Sequence, residues 1–383
     1  MDLAFDLNTY DERQQRTMKR MRALGLEALI VNMPDNLNYL VGFDSIGYLW
    51  YQALVLSPAL KAPTFFTRTT EEPCTWETSA VREGRFFDIA RQDPVEMVAD
   101  LLKEAGVGNR TIGVEMAAFT MLPVQWERLK ALLPEATFHD ASTLVAEERL
   151  IKSPREIAYQ RAAAAMADHA MLKGLAALRP GISEVAVAGL ISAALGEVGS
   201  EYAAIPPMVT SGPRSAMIHA MASNRTLQLG DVVIIELAGV SRRYHAVFMR
   251  TAVIGRPTAR LTEIAGNLRE ATEAAIAALK PGAKAGAPNH ACNAVTDRIG
   301  ITKNRAHRIG YSLGLAYPPT WLEAMILDDP DPHTISPEMS FTIEPNMSFH
   351  AEGFGYKIGE TALCTPEGGR SLSRLDHQLS VID

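Results

Sequence analysis

The second half of this 383-residue chain contains a faint internal repeat. The segment AALRPGISEVAVAGLISAALGEVG begins at Ala176, and AALKPGAKAGAPNHACNAVTDRIG begins at Ala277, 101 residues later. Each copy pairs a helix that ends in Leu-basic-Pro-Gly with a second helix, and strand-like segments follow both. Two related halves would place a site between them, where strands from both converge. Shared composition is the alternative explanation, because alanine-rich helices resemble one another easily.

The length of the chain predicts two domains, 1–150 and 151–383, because a single hydrophobic core rarely grows beyond about 250–300 residues. Residues 10–25 have an amphipathic helical pattern, and Glu27–Met33 is a short apolar run typical of a buried strand. The alternation that follows predicts an α/β layer domain. The pair Ser153–Pro154 suits the N-cap and first turn of a long helix that opens the second domain.

Composition excludes several classes of protein. The formal net charge of −7 argues against binding of nucleic acid, which requires clustered Lys and Arg. No run approaches the eighteen apolar residues of a membrane span, and the polar N-terminus lacks the pattern of a secretion signal, so we expect a cytoplasmic protein. Cys74, Cys292 and Cys364 lie far apart, which indicates neither a zinc site nor a disulfide framework.

Two glutamates stand in strongly apolar segments. Glu236 follows Val232–Ile235, and Glu344 follows a similar apolar stretch. A carboxylate in such a segment is costly to bury unless it is paired or used. The sequence therefore predicts that both acids belong to a functional site. For Glu236 the alternative is a buried ion pair with a nearby arginine such as Arg242 or Arg250.

A set of motifs in a fixed order carries a family resemblance. They include NLNYLVGF, SGPRSAMIHA, RIGYSLG, FTIEPN and YKIGET. With these motifs the chain resembles the creatinase/aminopeptidase P family over nearly its whole length. The resemblance implies a creatinase-type α/β N-terminal domain and an α+β pita-bread catalytic domain. It also implies a homodimer in which one subunit's N-terminal domain borders its partner's site.

The resemblance also implies that a two-metal centre has been lost. Metal enzymes of this family bind two ions through five ligands, and the corresponding positions here hold Glu236, Val247, Tyr311, Glu344 and Gly359. Three ligands are replaced by residues that do not suit the role, one is lengthened from Asp to Glu, and one is kept. Hard divalent ions need several anionic oxygens, so we expect no metal and no other cofactor.

Within the family, this loss resembles the creatinase branch, which hydrolyses C–N bonds without metal, and in it the ectoine hydrolase group. RRYH, RIGYSLGLAYPPTW and EPNMSFH carry that likeness. It implies hydrolytic opening of an amidine-like ring of a small zwitterion to an N-acetyl-diaminobutyrate. The chain departs from the pattern of this group in PPTWLE, in the short stretch AEGFGY, and at Lys357, a position that tends to be acidic there. Creatine is disfavoured, because Met249 occupies the place of a guanidinium-binding glutamate of creatinase.

Four residues are predicted to carry the chemistry. His219 aligns with the catalytic histidine of creatinase and would move protons as general acid and base; the alternative is a histidine that merely closes a loop. Glu236 would attack the substrate or hold the water, and Glu344 would bind the substrate's own positive charge in place of an ion. Tyr311 would hydrogen-bond the tetrahedral centre or simply fill vacated space.

Five further residues are predicted to contact the substrate, each with a plainer alternative. His245 and His350 would hold a substrate carboxylate, unless they are ordinary core histidines. Glu360 would complete the clamp around the cation, unless it is a surface acid. Tyr48 and Trp50 would form a lid across the dimer, unless they are aromatic core residues.

Two other functions remain open from the sequence. One is a metal-dependent Xaa-Pro dipeptidase, aminopeptidase or lyase that uses the remaining acids and a histidine. The other is a non-catalytic pita-bread binding protein, for which the chain lacks basic surfaces or extensions. The favoured partner is a small-molecule substrate, without nucleic acid or membrane.

Overall fold

A computed structural model describes residues 3–305 and 307–383. Internal contacts divide the chain into two compact units, Met1–Arg149 and Leu150–Asp383. Among the described residues, no helix combines the length and apolar character needed to cross a membrane.

The first unit is built on a mixed sheet whose strands follow the order β4-β3-β2-β1-β5-β6. Its strands are β1 (Ala28–Val31), β2 (Ala53–Leu56), β3 (Thr64–Arg68), β4 (Glu83–Phe87), β5 (Thr111–Val114) and β6 (Thr137–Asp140). Its helices are α1 (Leu7–Ala23), α2 (Pro34–Val41), α3 (Glu72–Thr78), α4 (Pro94–Glu104), α5 (Pro123–Leu132) and α6 (Leu144–Glu148).

Strand β1 shows why this unit is layered. Every residue of β1 is buried, as the apolar run predicts. Because successive side chains of a strand point to opposite faces, Ala28 and Ile30 pack into one hydrophobic core while Leu29 and Val31 pack into another. The sheet is therefore covered on both sides, which confirms the α/β prediction for this unit.

The second unit is a helix-backed sheet with the strand path β16-β15-β12-β10-β9-β8-β7; β11 pairs with β10, and β17 pairs with β9. Its helices are α7 (Pro154–Ala177), α8 (Glu184–Glu197), α9 (Ala259–Ala277) and α10 (Ala287–Thr296). Its strands are β7 (Met208–Ser211), β8 (Val232–Ser241), β9 (Tyr244–Ile254), β10 (Gly310–Tyr317), β11 (Thr320–Ile326), β12 (Ser340–Ile343), β13 (Met347–Phe349), β14 (Phe354–Tyr356), β15 (Glu360–Thr365), β16 (Gly368–Ser371) and β17 (Ser380–Ile382).

Helix α7 begins as the sequence predicts. Ser153 is its N-cap, and a reciprocal capping box joins Ser153 to Glu156. The helix packs closely on β8 because Gly239 has no side chain; a Cβ atom there would collide with the carbonyl oxygen of Ala163. Residues Val233, Ile235 and Leu237 of β8 face a core that contains α7, so the alternate residue Glu236 faces the other side of the sheet.

The internal repeat is confirmed in the backbone. The Pro-Gly turn of each copy places its glycine at a positive φ, +86° at Gly181 and +83° at Gly282. Each glycine N–H then donates to a carbonyl at an equivalent point, Gly181 to Leu227 at 2.8 Å and Gly282 to Ile335 at 2.9 Å. Two halves with the same helix-turn-helix geometry therefore make up this unit.

The repeat relates the two buried glutamates to each other. Glu236 lies nine residues after Leu227 (236 − 227), and Glu344 lies nine residues after Ile335 (344 − 335). Both acids follow a run of buried strand residues, in β8 and β12 respectively. Glu236 within β8 and Glu344 directly after β12 thus occupy corresponding positions in the two halves.

Candidate active site

A cavity of about 330 Å³ lies within the second unit and draws its walls from both halves. The lining residues are Ile205, Met208, His219, Met221, Glu236, His307, Arg308, Tyr311, Pro319, Trp321, Leu322, Glu344, Asn346 and Lys357. The cavity therefore gathers the four residues His219, Glu236, Tyr311 and Glu344, to which the sequence assigned the chemistry. It also contains two cations, Arg308 and Lys357, that the sequence analysis did not place in the site.

Glu236 forms a buried ion pair inside the cavity. Its Oε2 accepts a hydrogen bond from Lys357 Nζ at 2.9 Å, and the two residues are only 5% and 4% exposed. The predicted arginine partners are wrong, because Arg250 pairs with Glu360 instead and the partner of Glu236 is a lysine. The Lys357 ammonium thus supplies positive charge directly beside the Glu236 carboxylate.

Lys357 also connects Glu236 to the loop that carries His219. Its Nζ donates to the carbonyl oxygen of Ile218 at 2.7 Å, one residue before His219. The loop follows a short 3-10 helix, Gly212–Ala216, and His219 itself is exposed at the cavity wall. One ammonium group thus fixes the carboxylate and the histidine loop relative to each other.

Glu344 has a strongly perturbed carboxyl group. Burial and, to a smaller extent, the charge of Glu236 raise its pKa, and Lys357, Arg308 and a hydrogen bond from Tyr311 oppose them, so that the pKa is about 8. The group is therefore largely protonated in the free protein at neutral pH. A cation that enters the cavity would favour loss of this proton.

Tyr311 and Trp321 form a hydrogen-bonded aromatic wall. Trp321 Nε1 donates to the Tyr311 hydroxyl oxygen at 2.8 Å, and both residues are buried. Burial and the charge of Glu344 raise the pKa of Tyr311 well above its usual value, so the group stays a neutral phenol. Its hydroxyl keeps its proton as a donor toward Glu344 or toward a bound ligand.

The residues at the family's ligand positions do not fit two metal ions. Val247 and Met249 pack with Tyr311 and Trp321 in an apolar cluster. A Cβ atom added at Gly359 would lie 2.5 Å from the Cγ of Met249, so a carboxylate side chain has no room there. Within residues 3–305 and 307–383, no group of three or more His, Cys, Asp or Glu side chains has the geometry to bind a metal ion. Hydrophobic packing has replaced most of the ligand cage.

Glu360 lies outside the cavity, which corrects the prediction of a substrate clamp. It is fully buried, pairs with Arg250, accepts a hydrogen bond from Ser371, and lies 3.1 Å from His377 Nε2. The alternative of a surface acid is wrong as well. Although burial raises the pKa of Glu360, the opposing contacts with His377 and Arg250 outweigh it and lower the pKa overall. The residue is a structural anion that ties the C-terminal segment to β9.

His245 also lies outside the cavity, as a core histidine with both ring nitrogens satisfied. The Ala204 N–H donates to Nε2 at 3.0 Å, and Nδ1 lies 2.8 Å from the Arg243 carbonyl oxygen, so the proton resides on Nδ1. Burial and the charge of Arg243 lower its pKa to about 3. The residue fixes the segment before Ile205, a cavity wall, rather than holding a carboxylate.

The neutral His245 predicts sensitivity of the fold to acid. Its folded-state pKa is depressed, so between pH 6.5 and 3 the unfolded chain binds a proton that the folded chain does not. The free energy of unfolding should therefore fall with acidification across this window, by at most about 1.4 kcal/mol per pH unit from this group. Urea unfolding of His245→Gln should show a shallower slope than wild type, whereas the exposed His350→Gln should keep the wild-type slope; equal slopes for all three would contradict the assignment.

Three other predicted contacts are not brought to the cavity. His350 is exposed and follows β13. Tyr48 is buried and Trp50 is partly exposed, and both line a separate pocket in the first unit, where the Arg68 guanidinium lies 3.5 Å from the Trp50 ring centre. The role of these aromatic residues across a dimer stays a prediction.

Sequence reasoning missed His307, Arg308 and Lys357. Burial lowers the pKa of His307, with a smaller effect from neighbouring charges that include His219. Two signals were present in the sequence: Arg308 is the first residue of the motif RIGYSLG, and Lys357 replaces a usually acidic residue. Neither fact indicated that both cations would face the same cavity.

Comparisons with known proteins place this fold and cavity in a family. Residues 158–366 match the model of metallopeptidase family M24, and residues 13–151 match the creatinase/prolidase N-terminal domain. The chain belongs to this family of hydrolases, which confirms the family and the pita-bread fold predicted from the motifs.

Individual relatives differ in what they hydrolyse. An uncharacterised hydrolase/peptidase, y4tM, of Sinorhizobium fredii is 30% identical over 100% of this chain and 99% of its own length. The ectoine hydrolase of Halomonas elongata is 28% identical with the same coverage. The crystal structure of dipeptidase PepE from Mycobacterium ulcerans superposes with a TM-score of 0.87 at 26% identity and covers 99% of both chains. The family thus holds both peptide and non-peptide hydrolases at similar distance from this chain.

Proposed function

We propose that the chain hydrolyses, without a metal ion, a C–N bond of a small zwitterionic amidine-like compound; the relative named ectoine hydrolase supports this class of substrate. The observation that carries the proposal is the Lys357–Glu236 ion pair within the same cavity as His219 and Glu344. This set supplies an anionic oxygen, a proton carrier and a second acid. Their arrangement suits addition of water to a carbon that is already electrophilic.

In the proposed reaction one molecule of water adds across one C–N bond of the amidinium group. His219 accepts a proton as the new C–O bond forms, and it returns this proton to the nitrogen that leaves. Glu236 holds the water through Oε1, or attacks the carbon to form an intermediate that water then cleaves. Both routes end in one amide and one free amine.

The structure changes the expected distribution of charge. The sequence analysis assigned the positive charge to the substrate, with Glu236 and Glu344 as its anions. Because Lys357 already neutralises Glu236, the carboxyl group available to a cationic substrate is that of Glu344, which must first lose a proton. Substrate binding and proton release are therefore coupled in this proposal.

A metal-dependent dipeptidase is the main competing function, because dipeptidases are relatives of similar identity. The residues at the ligand positions speak against it. Binding of an ion would require breaking the Lys357–Glu236 pair and displacing the apolar side chains of Val247 and Met249.

The test is a substrate panel of ectoine, creatine and Xaa-Pro dipeptides, assayed with and without a chelator. We expect turnover of the cyclic amidine that is unchanged after exhaustive chelation and dialysis, as measured by release of the ring-opened product. Hydrolysis of the dipeptides that disappears with chelation and returns with added metal would overturn the proposal in favour of the dipeptidase. No turnover of any member would favour a binding protein.

The perturbed Glu344 predicts a pH dependence of catalysis. Its proton must leave before a cation binds well, so kcat/KM for ectoine should rise about tenfold per pH unit up to pH 8 and then level off. A profile measured from pH 6 to 9.5 tests this expectation. Glu344→Gln should be less active, and its kcat/KM should no longer rise with pH toward 8. If the rise persists in this variant, another group is responsible for it.

A further inference from the structure

We propose that Arg308 and Asn346 form a recognition subsite for a carboxylate and a neighbouring N–H group of the substrate. The inference rests on the proposed function for its substrate class, and it assigns the residues that would recognise the anionic group of that zwitterion. It concerns two residues that line the cavity and for which the proposed reaction has no role.

Both residues hold polar atoms that have no partner within the described residues. The Arg308 Nε–H and the Asn346 Oδ1 are buried from solvent and make no hydrogen bond. Asn346 as a whole is only 2% exposed, so its Oδ1 is withdrawn from solvent without a protein donor among the described residues. Buried polar groups are almost always hydrogen-bonded, so an unpaired donor and an unpaired acceptor in one cavity wall suit a ligand that supplies both partners.

Arg308 is positioned but keeps its donors free. Its guanidinium carbon lies 5.0 Å from the centre of the Tyr311 ring, a contact that fixes the group through the face of the ring. No acidic side chain in the described residues lies within ion-pair distance of it. Such a guanidinium suits a carboxylate, which it binds through parallel N–H donors.

The strand register brings the two residues to the same end of the β10–β12 ladder. Gly310 of β10 pairs with Ile343 of β12, and the Glu344 N–H donates to the Ile309 carbonyl oxygen at 2.7 Å, which extends the ladder by one residue. Arg308 therefore lies opposite the segment that leads into Asn346. Both side chains line the same cavity, so one small ligand that carries a carboxylate near an N–H group can contact both.

Charge in the cavity supports the same ligand. Lys357 neutralises Glu236, and the raised pKa of Glu344 leaves that group largely protonated near neutral pH. Arg308 then carries the remaining positive charge, which a substrate carboxylate would balance. The inferred substrate is an amidine with a carboxylate on the carbon next to one of its N–H groups.

The subsite is tested by binding, separately from turnover. Isothermal titration of the wild-type protein with N-acetylglycine, acetate and N-methylacetamide compares a probe that has both groups with probes that have one each. We expect N-acetylglycine to bind most tightly. Arg308→Met and Asn346→Leu should each weaken its binding by about 10- to 100-fold, with a smaller loss for Arg308→Lys, which keeps only the charge. The exposed Arg256→Met is the matched control and should bind as wild type does.

A kinetic arm separates this inference from the proposed function. If ectoine is a substrate, Arg308→Met should lower kcat/KM for ectoine about 10- to 100-fold but leave that for its decarboxylated counterpart, 2-methyl-1,4,5,6-tetrahydropyrimidine, nearly unchanged. The protein could bind N-acetylglycine through Arg308 and yet hydrolyse no amidine. That result would support the subsite and contradict the proposed function. The subsite would be overturned if the wild-type protein bound N-acetylglycine no more tightly than N-methylacetamide, or if Arg308→Met left the affinity for N-acetylglycine unchanged.

Discussion

Replacement of Glu236 with glutamine is expected to lower kcat/KM for the amidine substrate by about 10²–10⁴-fold. The substitution preserves size and leaves an oxygen that accepts the hydrogen bond from Lys357, so the cavity should keep its shape. It removes the carboxylate charge, which Glu236 needs either to hold the attacking water or to attack the substrate itself. Steady-state kinetics at pH 8, with far-ultraviolet circular dichroism to verify folding, measure the effect.

A matched control distinguishes this loss from a general effect of removing a carboxylate. Glu263→Gln removes an acid from an exposed pair with Arg260 on α9 and should leave kcat/KM unchanged. Activity of Glu236→Gln within about threefold of wild type would remove Glu236 from the reaction, whatever the result for the control.

The role of Glu236 as nucleophile or as water holder has its own signature. If Glu236 attacks the substrate, the slower variant His219→Ala should accumulate a covalent adduct, visible by intact-mass spectrometry after a rapid quench with ectoine. If it holds water, no adduct forms under any quench time. The exposed position of His219 on a turn makes this substitution mild for the fold.

The fold was largely predictable because its signals are local. The apolar run of β1, the capping box at Ser153 and the repeated Leu-basic-Pro-Gly turn each report on a few consecutive residues. Those signals fix elements and their order. The equivalence of Glu236 and Glu344 also follows from the repeat, although it becomes evident only from hydrogen bonds that span some fifty residues in each half.

The site was predictable only where an unusual residue stood in an otherwise uniform segment. Glu236 and Glu344 stand out as acids in apolar strands, and the cavity contains both. Lys357 does not stand out, since its partner Glu236 is 121 residues away and pairing at that distance depends on the folded sheet. Glu360 shows the converse error, because it lies in a family motif yet its side chain turns away from the cavity toward Arg250.

Removal of Lys357 should destabilise the second unit strongly. Lys357→Met keeps the length of the side chain but leaves Glu236 buried without its cation and the Ile218 carbonyl without its donor. Breaking one partner of a buried ion pair costs about 3–5 kcal/mol. For a domain of this size, that loss should lower the melting temperature by about 10 °C, measured by calorimetry.

A double-mutant cycle tests whether the pair serves folding or function. Glu236→Gln combined with Lys357→Met removes both charges together, and this double variant should regain most of the stability that Lys357→Met alone loses, because a neutral pair carries little desolvation penalty. Its activity should stay as low as that of Glu236→Gln. The exposed Lys303→Met should change stability by less than about 0.5 kcal/mol. Additive losses in the cycle would mean that the two charges do not depend on each other, and the ion pair would then be no replacement for a metal's charge at this site.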